Sequence, residues 1–184
     1  MNDLVKKFQE EIDEISQKFS KKFNHFSREE LNWKPDPGTW SIGQIIDHLI
    51  VLNKTYFPII KNLKEGRYQL PFVGKIGFIT NSLGNLLLKS VEPDRKKKVK
   101  TFPVWESDAS YIENDILDCF LIHQEDMKKL IAESEDLLAN GAVISSPANK
   151  MIVYKLEKAF EIIIAHEKRH FNQAKEVLKL QKKS

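Results

Sequence analysis

The chain has 184 residues, enough for one domain and too few for two ordinary ones. Its 29 Lys and Arg nearly balance 26 Asp and Glu, for a net charge of +3, which gives no electrostatic basis for a nucleic-acid partner. With 41% hydrophobic and 30% charged residues the composition is globular rather than disordered, and the single cysteine, Cys119, rules out an intramolecular disulfide and a cysteine-based zinc site.

The charged N-terminus, Met1-Asn2-Asp3-Leu4-Val5-Lys6-Lys7, has no apolar h-region, and no apolar run approaches a membrane span. The expected location is therefore the cytoplasm, with no membrane partner. Leu4, Phe8, Ile12, Ile15, Phe19 and Phe23 recur at spacings of three and four and predict a long first helix. Ser27 and Glu30 have the capping-box spacing of a short helical turn, which Pro35-Asp36-Pro37-Gly38 ends. Ser41 and Gln44 repeat that spacing and open a second helix with the stripe Ile42, Ile45, Ile46, Leu49, Leu52 and Tyr56. Pro58 should kink or shorten it by removing a backbone donor.

Residues 65 to 107 are the least regular, with a helical stretch expected near Lys75 to Lys89 and a basic loop at Arg95-Lys96-Lys97-Lys98. A third helix is expected to begin near Ser107 to Ser110, with Ser110 and Glu113 at capping spacing and the stripe Ile112, Ile116, Phe120, His123, Met127 and Leu130. The fourth runs from about Lys150 to about Leu180, with Leu156, Phe160, Ile163, His166, His170, Ala174 and Val177 on its stripe. Strand alternation is nearly absent. Four such helices predict an all-α bundle in one domain over residues 1–184.

His166 and His170 are the clearest chemical signal. Spacing of i, i+4 places the two imidazoles on one helix face, roughly 5–6 Å apart at Cβ, and that face is the apolar one. Two buried rings at this spacing suit a divalent metal better than they suit two isolated core histidines. A third ligand is expected from another helix: His48, at the edge of the second helix's apolar stripe, is the best candidate, and His123, squarely on the third helix's stripe, is the alternative. His25, at the end of the first helix, is expected to be exposed. The segment His166-Glu167-Lys168-Arg169-His170 matches H-E-x-x-H, the zinc-protease motif in which the glutamate is a general base. The extended form fails, because Gln173 and Glu176 stand where a glycine and a third histidine belong. Glu167 and Asp47 are candidates to orient a ligand imidazole, with an exposed helix charge the favoured reading for Glu167. The run Arg95 to Lys98 with Lys100 lacks the interleaved aromatics of a nucleic-acid reader. Cys119 beside Phe120 reads as a packed thiol rather than a nucleophile.

The segment Trp40-Ser41-Ile42-Gly43-Gln44-Ile45-Ile46-Asp47-His48-Leu49 resembles the W-S-x-x-x-x-x-x-H-L opening of helix two in the DinB-like metalloprotein superfamily. Leu31-Asn32-Trp33-Lys34-Pro35 and Pro37-Gly38 are similar to its lead-in. His166 to His170 followed by Phe171-Asn172-Gln173 resembles its H-x-x-x-H-x-x-Q segment on helix four. The resemblance implies a four-helix bundle with a non-sequential, up-down-down-up type of helix order. It implies a divalent metal, zinc or nickel first, held by His48, His166 and His170. It further implies a thiol S-transferase that takes a small-molecule thiol and an electrophilic substrate, and a homodimer. The aromatic segment around Tyr68, Phe72, Phe78, Phe102 and Trp105 is the expected interface. The alternatives are a non-catalytic metal- or ligand-binding bundle and, behind it, a metal-dependent hydrolase or HExxH-type protease. No catalytic residue beyond the metal ligands is assigned, and His123 has no role in the resemblance.

Overall fold

In the computed structural model, which describes residues 2–93, 105, 111–112 and 115–183, the first apolar stripe winds into α1 (Asp3–Phe23). Asn2 caps it by accepting from the Leu4 amide, and Val5, Phe8, Ile12, Ile15, Phe19 and Phe23 are buried along one side. Both expected capping boxes form: Ser27 with Glu30 opens α2 (Arg28–Asn32), and Ser41 with Gln44 opens α3 (Ile42–Lys54). The chain breaks at Thr55 and Tyr56, and Pro58 falls in the first turn of α4 (Phe57–Lys64), where no intrahelical donor is lost. A 3-10 turn, Phe72–Lys75, leads into α5 (Gly77–Val91), which covers the helical stretch expected there.

Two boundaries differ from the sequence reading. The third long helix, α6 (Ile116–Ala132), begins after the expected start near Ser107 to Ser110. That start, with Glu113, lies outside the described residues. Ile112 still reaches the core, but from a loop: Asn32 Oδ1 accepts from its amide at 2.7 Å and Asn32 Nδ2 donates to its carbonyl at 2.9 Å. The short helix α7 (Glu135–Ala139) follows α6, and then a hairpin that the periodicity did not reveal. Strands β1 (Val143–Ser146) and β2 (Asn149–Lys155) pair antiparallel, with Ile144 opposite Tyr154 and Ser145 opposite Val153. The run Ile152-Val153-Tyr154 favours the pleated backbone over a helix, so the last helix, α8 (Leu156–Gln181), starts at Leu156 and not near Lys150.

The described residues are thus mostly helical. α1 packs on α6 and α8, α3 packs on the same two helices, and α5 lies on β2 and α8. Phe19 sits where α1, α6 and α8 meet, with ring centroids 4.8 Å from Phe120 and 5.1 Å from Phe171. Such aromatic pairs add roughly 0.5–1.5 kcal/mol beyond the area they bury. Gly43 permits the close approach at the start of α3, since a Cβ there would lie 3.3 Å from both Ile112 and the Leu31 carbonyl. Among the described residues no helix is long and apolar enough to cross a membrane. The contact of α3 with α8 places His48 opposite His166 and His170.

Candidate metal centre

The three histidines meet between α3 and α8. One nitrogen from each of His48, His166 and His170 can be chosen so that all lie within 4.8 Å of one another. The ring centroids of His48 are 5.2 Å from His166 and 4.8 Å from His170, and the two α8 rings are 4.3 Å apart. His166 Nε2 and His170 Nε2 face each other at 3.0 Å. Two nitrogens bound at 2.0–2.1 Å in a tetrahedral site stand about 3.3 Å apart, so this pair is already near ligand separation.

His48 belongs to the core rather than its edge, being only 1% exposed. Its Nδ1 lies 2.5 Å from the carbonyl oxygen of Trp105. A carbonyl can only accept, so Nδ1 carries the proton and Nε2 keeps its lone pair. Nε2 is buried and has no hydrogen-bond partner, as are Nδ1 of His166 and of His170. A buried acceptor left unpaired is costly, and an ion held between the rings would satisfy His48 Nε2. The donor set therefore fits a divalent metal. The Trp40 ring lies 4.9 Å from His48 and stacks against His170 at 6.3 Å, giving the cluster an apolar wall. His166 is half-buried, between two buried partners.

Burial holds all three imidazoles below the usual histidine range. For His170 burial, followed by the nearby His48 and Arg169 charges, sets the value at about 3. His166 is driven well down by burial and by His170, His48 and Arg169. His48 is lowered by burial, against the opposing pull of the Trp105 carbonyl and of Asp47. At neutral pH the rings are therefore uncharged, the state in which imidazole binds a metal.

Glu167 corrects an expectation. It is not an exposed helix charge but 0% exposed, because a step of one residue turns its side chain about 100° from that of His166. Asn53 Nδ2 donates to Glu167 Oε1 at 2.6 Å and Gln124 Nε2 donates to Oε2 at 2.9 Å. Burial raises the carboxyl to about 7 against the lowering effect of these two bonds. With both oxygens engaged by core amides, Glu167 lacks the free carboxylate that HExxH proteases use as a base.

The other candidates do not join the cluster. His123 is buried on α6, only 4% exposed, beside Phe57 and with Nε2 unpartnered. His25 is exposed, Cys119 is half-buried against the core, and Asp47 is half-buried. The basic run Arg95 to Lys98, with Lys100, lies outside the described residues. Of the expected interface aromatics, Trp105 is engaged by its carbonyl and by its indole, which donates to Thr55 Oγ1 at 3.3 Å. The Tyr68 hydroxyl pairs with Ser145, and Phe102 lies outside the described residues. Phe72 and Phe78 project into solvent, 76% and 82% exposed.

The described residues form a mostly helical fold in which three histidines converge in a cluster that could hold a metal ion. The model of the DinB superfamily matches residues 11–174, which include all three histidines, and the chain belongs to that superfamily. No curated protein and no solved structure matches the chain.

Proposed function

We propose that this chain is a metal-dependent thiol S-transferase acting on a small electrophile, with His48, His166 and His170 as the metal ligands. The observation that carries the reading is the convergence of three imidazoles, with Nε2 of His48 buried and unpartnered. Imidazole ligands suit zinc and nickel. A divalent ion in such a site supplies Lewis acidity that holds a thiol as its thiolate near neutral pH. The protein's own part is positional. The Trp105 carbonyl fixes the His48 tautomer, and Trp40 offers an apolar face against which an electrophile can lie. The same reading includes one domain in a cytoplasmic protein, with an up-down-down-up helix order. That order is supported by α1 and α3 sharing α6 and α8 as neighbours.

The test is the initial rate of loss of a haloarene or monobromobimane with several small thiols, with and without chelator. The rate is expected to require both metal and thiol and to survive Cys119→Ser. Metal-dependent hydrolysis without thiol would replace this reading by a hydrolase. A metal-loaded protein with no turnover would replace it by a binding bundle.

We also propose a homodimer, supported by the exposed Phe72 in the 3-10 turn and Phe78 in the first turn of α5. Light scattering is expected to give twice the chain mass, reduced to the chain mass by Phe72→Ser with Phe78→Ser. A monomeric wild type would overturn it.

A further inference from the structure

We infer that Glu167 is a positioning residue whose carboxylate fixes the register in which α3 and α8 present their histidines to one another. The inference rests on the metal-binding reading of His48, His166 and His170. Asn53, Gln124 and Glu167 are all fully buried, one each from α3, α6 and α8. Glu167 lies between the two α8 histidines in sequence, and Asn53 follows His48 by five residues on α3. The bond from Asn53 to Glu167 therefore joins the two ligand-bearing helices within about a turn and a half of the ligands on each.

Apart from Gln44, which caps α3, and the ligand histidines, the other buried residues of α3 and α8 are apolar. Apolar contact is non-directional, so by itself it specifies the axial register of two helices weakly. The carboxylate does specify it. A slip of α8 by one turn, about 5.4 Å, would carry Glu167 out of reach of both amides and leave three buried polar groups without partners. Fixing register is the best-attested role of buried polar groups. Gln124 makes the other bond to the same carboxylate, but from α6, which supplies none of the three histidines. The two arms are alike in chemistry and burial and differ in whether they connect ligand to ligand.

That difference is the test. Full-length wild type, Asn53→Ala, Gln124→Ala, Glu167→Gln and His166→Ala are compared by two readouts. One is urea unfolding of the metal-free protein. The other is Co2+ binding, followed by its visible spectrum and by competition with a chromophoric chelator. Both alanine variants are expected to lose similar stability. Asn53→Ala should also weaken Co2+ binding by about tenfold or more, the lower end for groups that orient ligands, and shift the spectrum. Gln124→Ala should keep wild-type affinity and spectrum. Glu167→Gln should also keep wild-type affinity and spectrum, because Asn53 Oδ1 and Gln124 Oε1 have no partner and either amide can turn to meet the new NH2. Should Asn53→Ala fail to fold, Asn53→Leu fills the space and is judged by the same criterion. Equal Co2+ effects from the two arms, or none from Asn53, would overturn the inference while leaving the metal site in place. Absence of Co2+ binding in the wild type, or undiminished binding in His166→Ala, would overturn the metal reading itself and this inference with it.

Discussion

His166→Ala is expected to abolish the stabilisation that added zinc or nickel gives the wild-type protein. A ligand that binds only the folded state stabilises it by about 2.7 kcal/mol when free ligand stands at a hundred times Kd. His166 is one of the two α8 donors, with Nε2 3.0 Å from that of His170 and its ring 5.2 Å from His48. Without it one donor remains on each helix. The affinity lost should exceed the roughly 10–100-fold typical of an outer hydrogen-bond partner. The readout is the increment in unfolding free energy when metal is added, each protein being compared with itself under chelator. Any cost of the cavity left by the substitution cancels. An undiminished increment in His166→Ala would contradict the assignment.

The second large effect concerns acid stability and a histidine outside the site. Burial first, then the Lys54 charge, pushes His123 down from 6.5 to about 4, with Asp126 opposing. The unfolded imidazole takes up a proton as pH falls through about 6.5, whereas the folded one resists until about 4. Its contribution to stability is therefore complete above pH 6.5 and is lost as pH falls towards 4. A shift of this size corresponds to about 3 kcal/mol over the whole window. His48, His166 and His170 are lowered as well and steepen the same limb. The contribution of His123 is isolated by comparison with His123→Phe, which keeps a ring beside Phe57. In urea titrations under chelator, the variant should lose about 2–3 kcal/mol less than wild type between pH 7 and pH 4.5. Equal losses would show that His123 is protonated in the folded protein near its ordinary pKa.

The long helices were legible because their stripes are local and strongly apolar. Phe8, Ile12, Ile15, Phe19 and Phe23 are buried as their spacing requires, and the Ser27 and Ser41 capping boxes need only residues three positions apart. The hairpin was not legible, because Ile152-Val153-Tyr154 runs into the α8 stripe at Leu156 and its partner strand, Val143–Ser146, is only four residues long. The i, i+4 pair on α8 was fixed by one helix alone. The third donor was not: periodicity put His48 first at the edge of its stripe and kept His123 as the alternative, and the resemblance to the superfamily agreed with His48. The packing of α3 on α8 now sets His48 beside the pair and leaves His123 on α6 outside the cluster. Trp105 acts through its carbonyl, an atom every residue has, so its identity carried no signal. Glu167 was misread beside Lys168 and Arg169, although the amides that bury it, Asn53 and Gln124, stand among the buried apolar residues of α3 and α6. Polar residues in those positions were the available clue.

The most direct test of the account is the metal content of untagged protein, measured by mass spectrometry after loading with zinc or nickel and removal of free ion. Wild type is expected to retain about one ion per chain, as a single three-histidine site requires. His48→Ala, His166→Ala and His170→Ala should each retain little. A wild type that retains none, or full retention in all three variants, would contradict it.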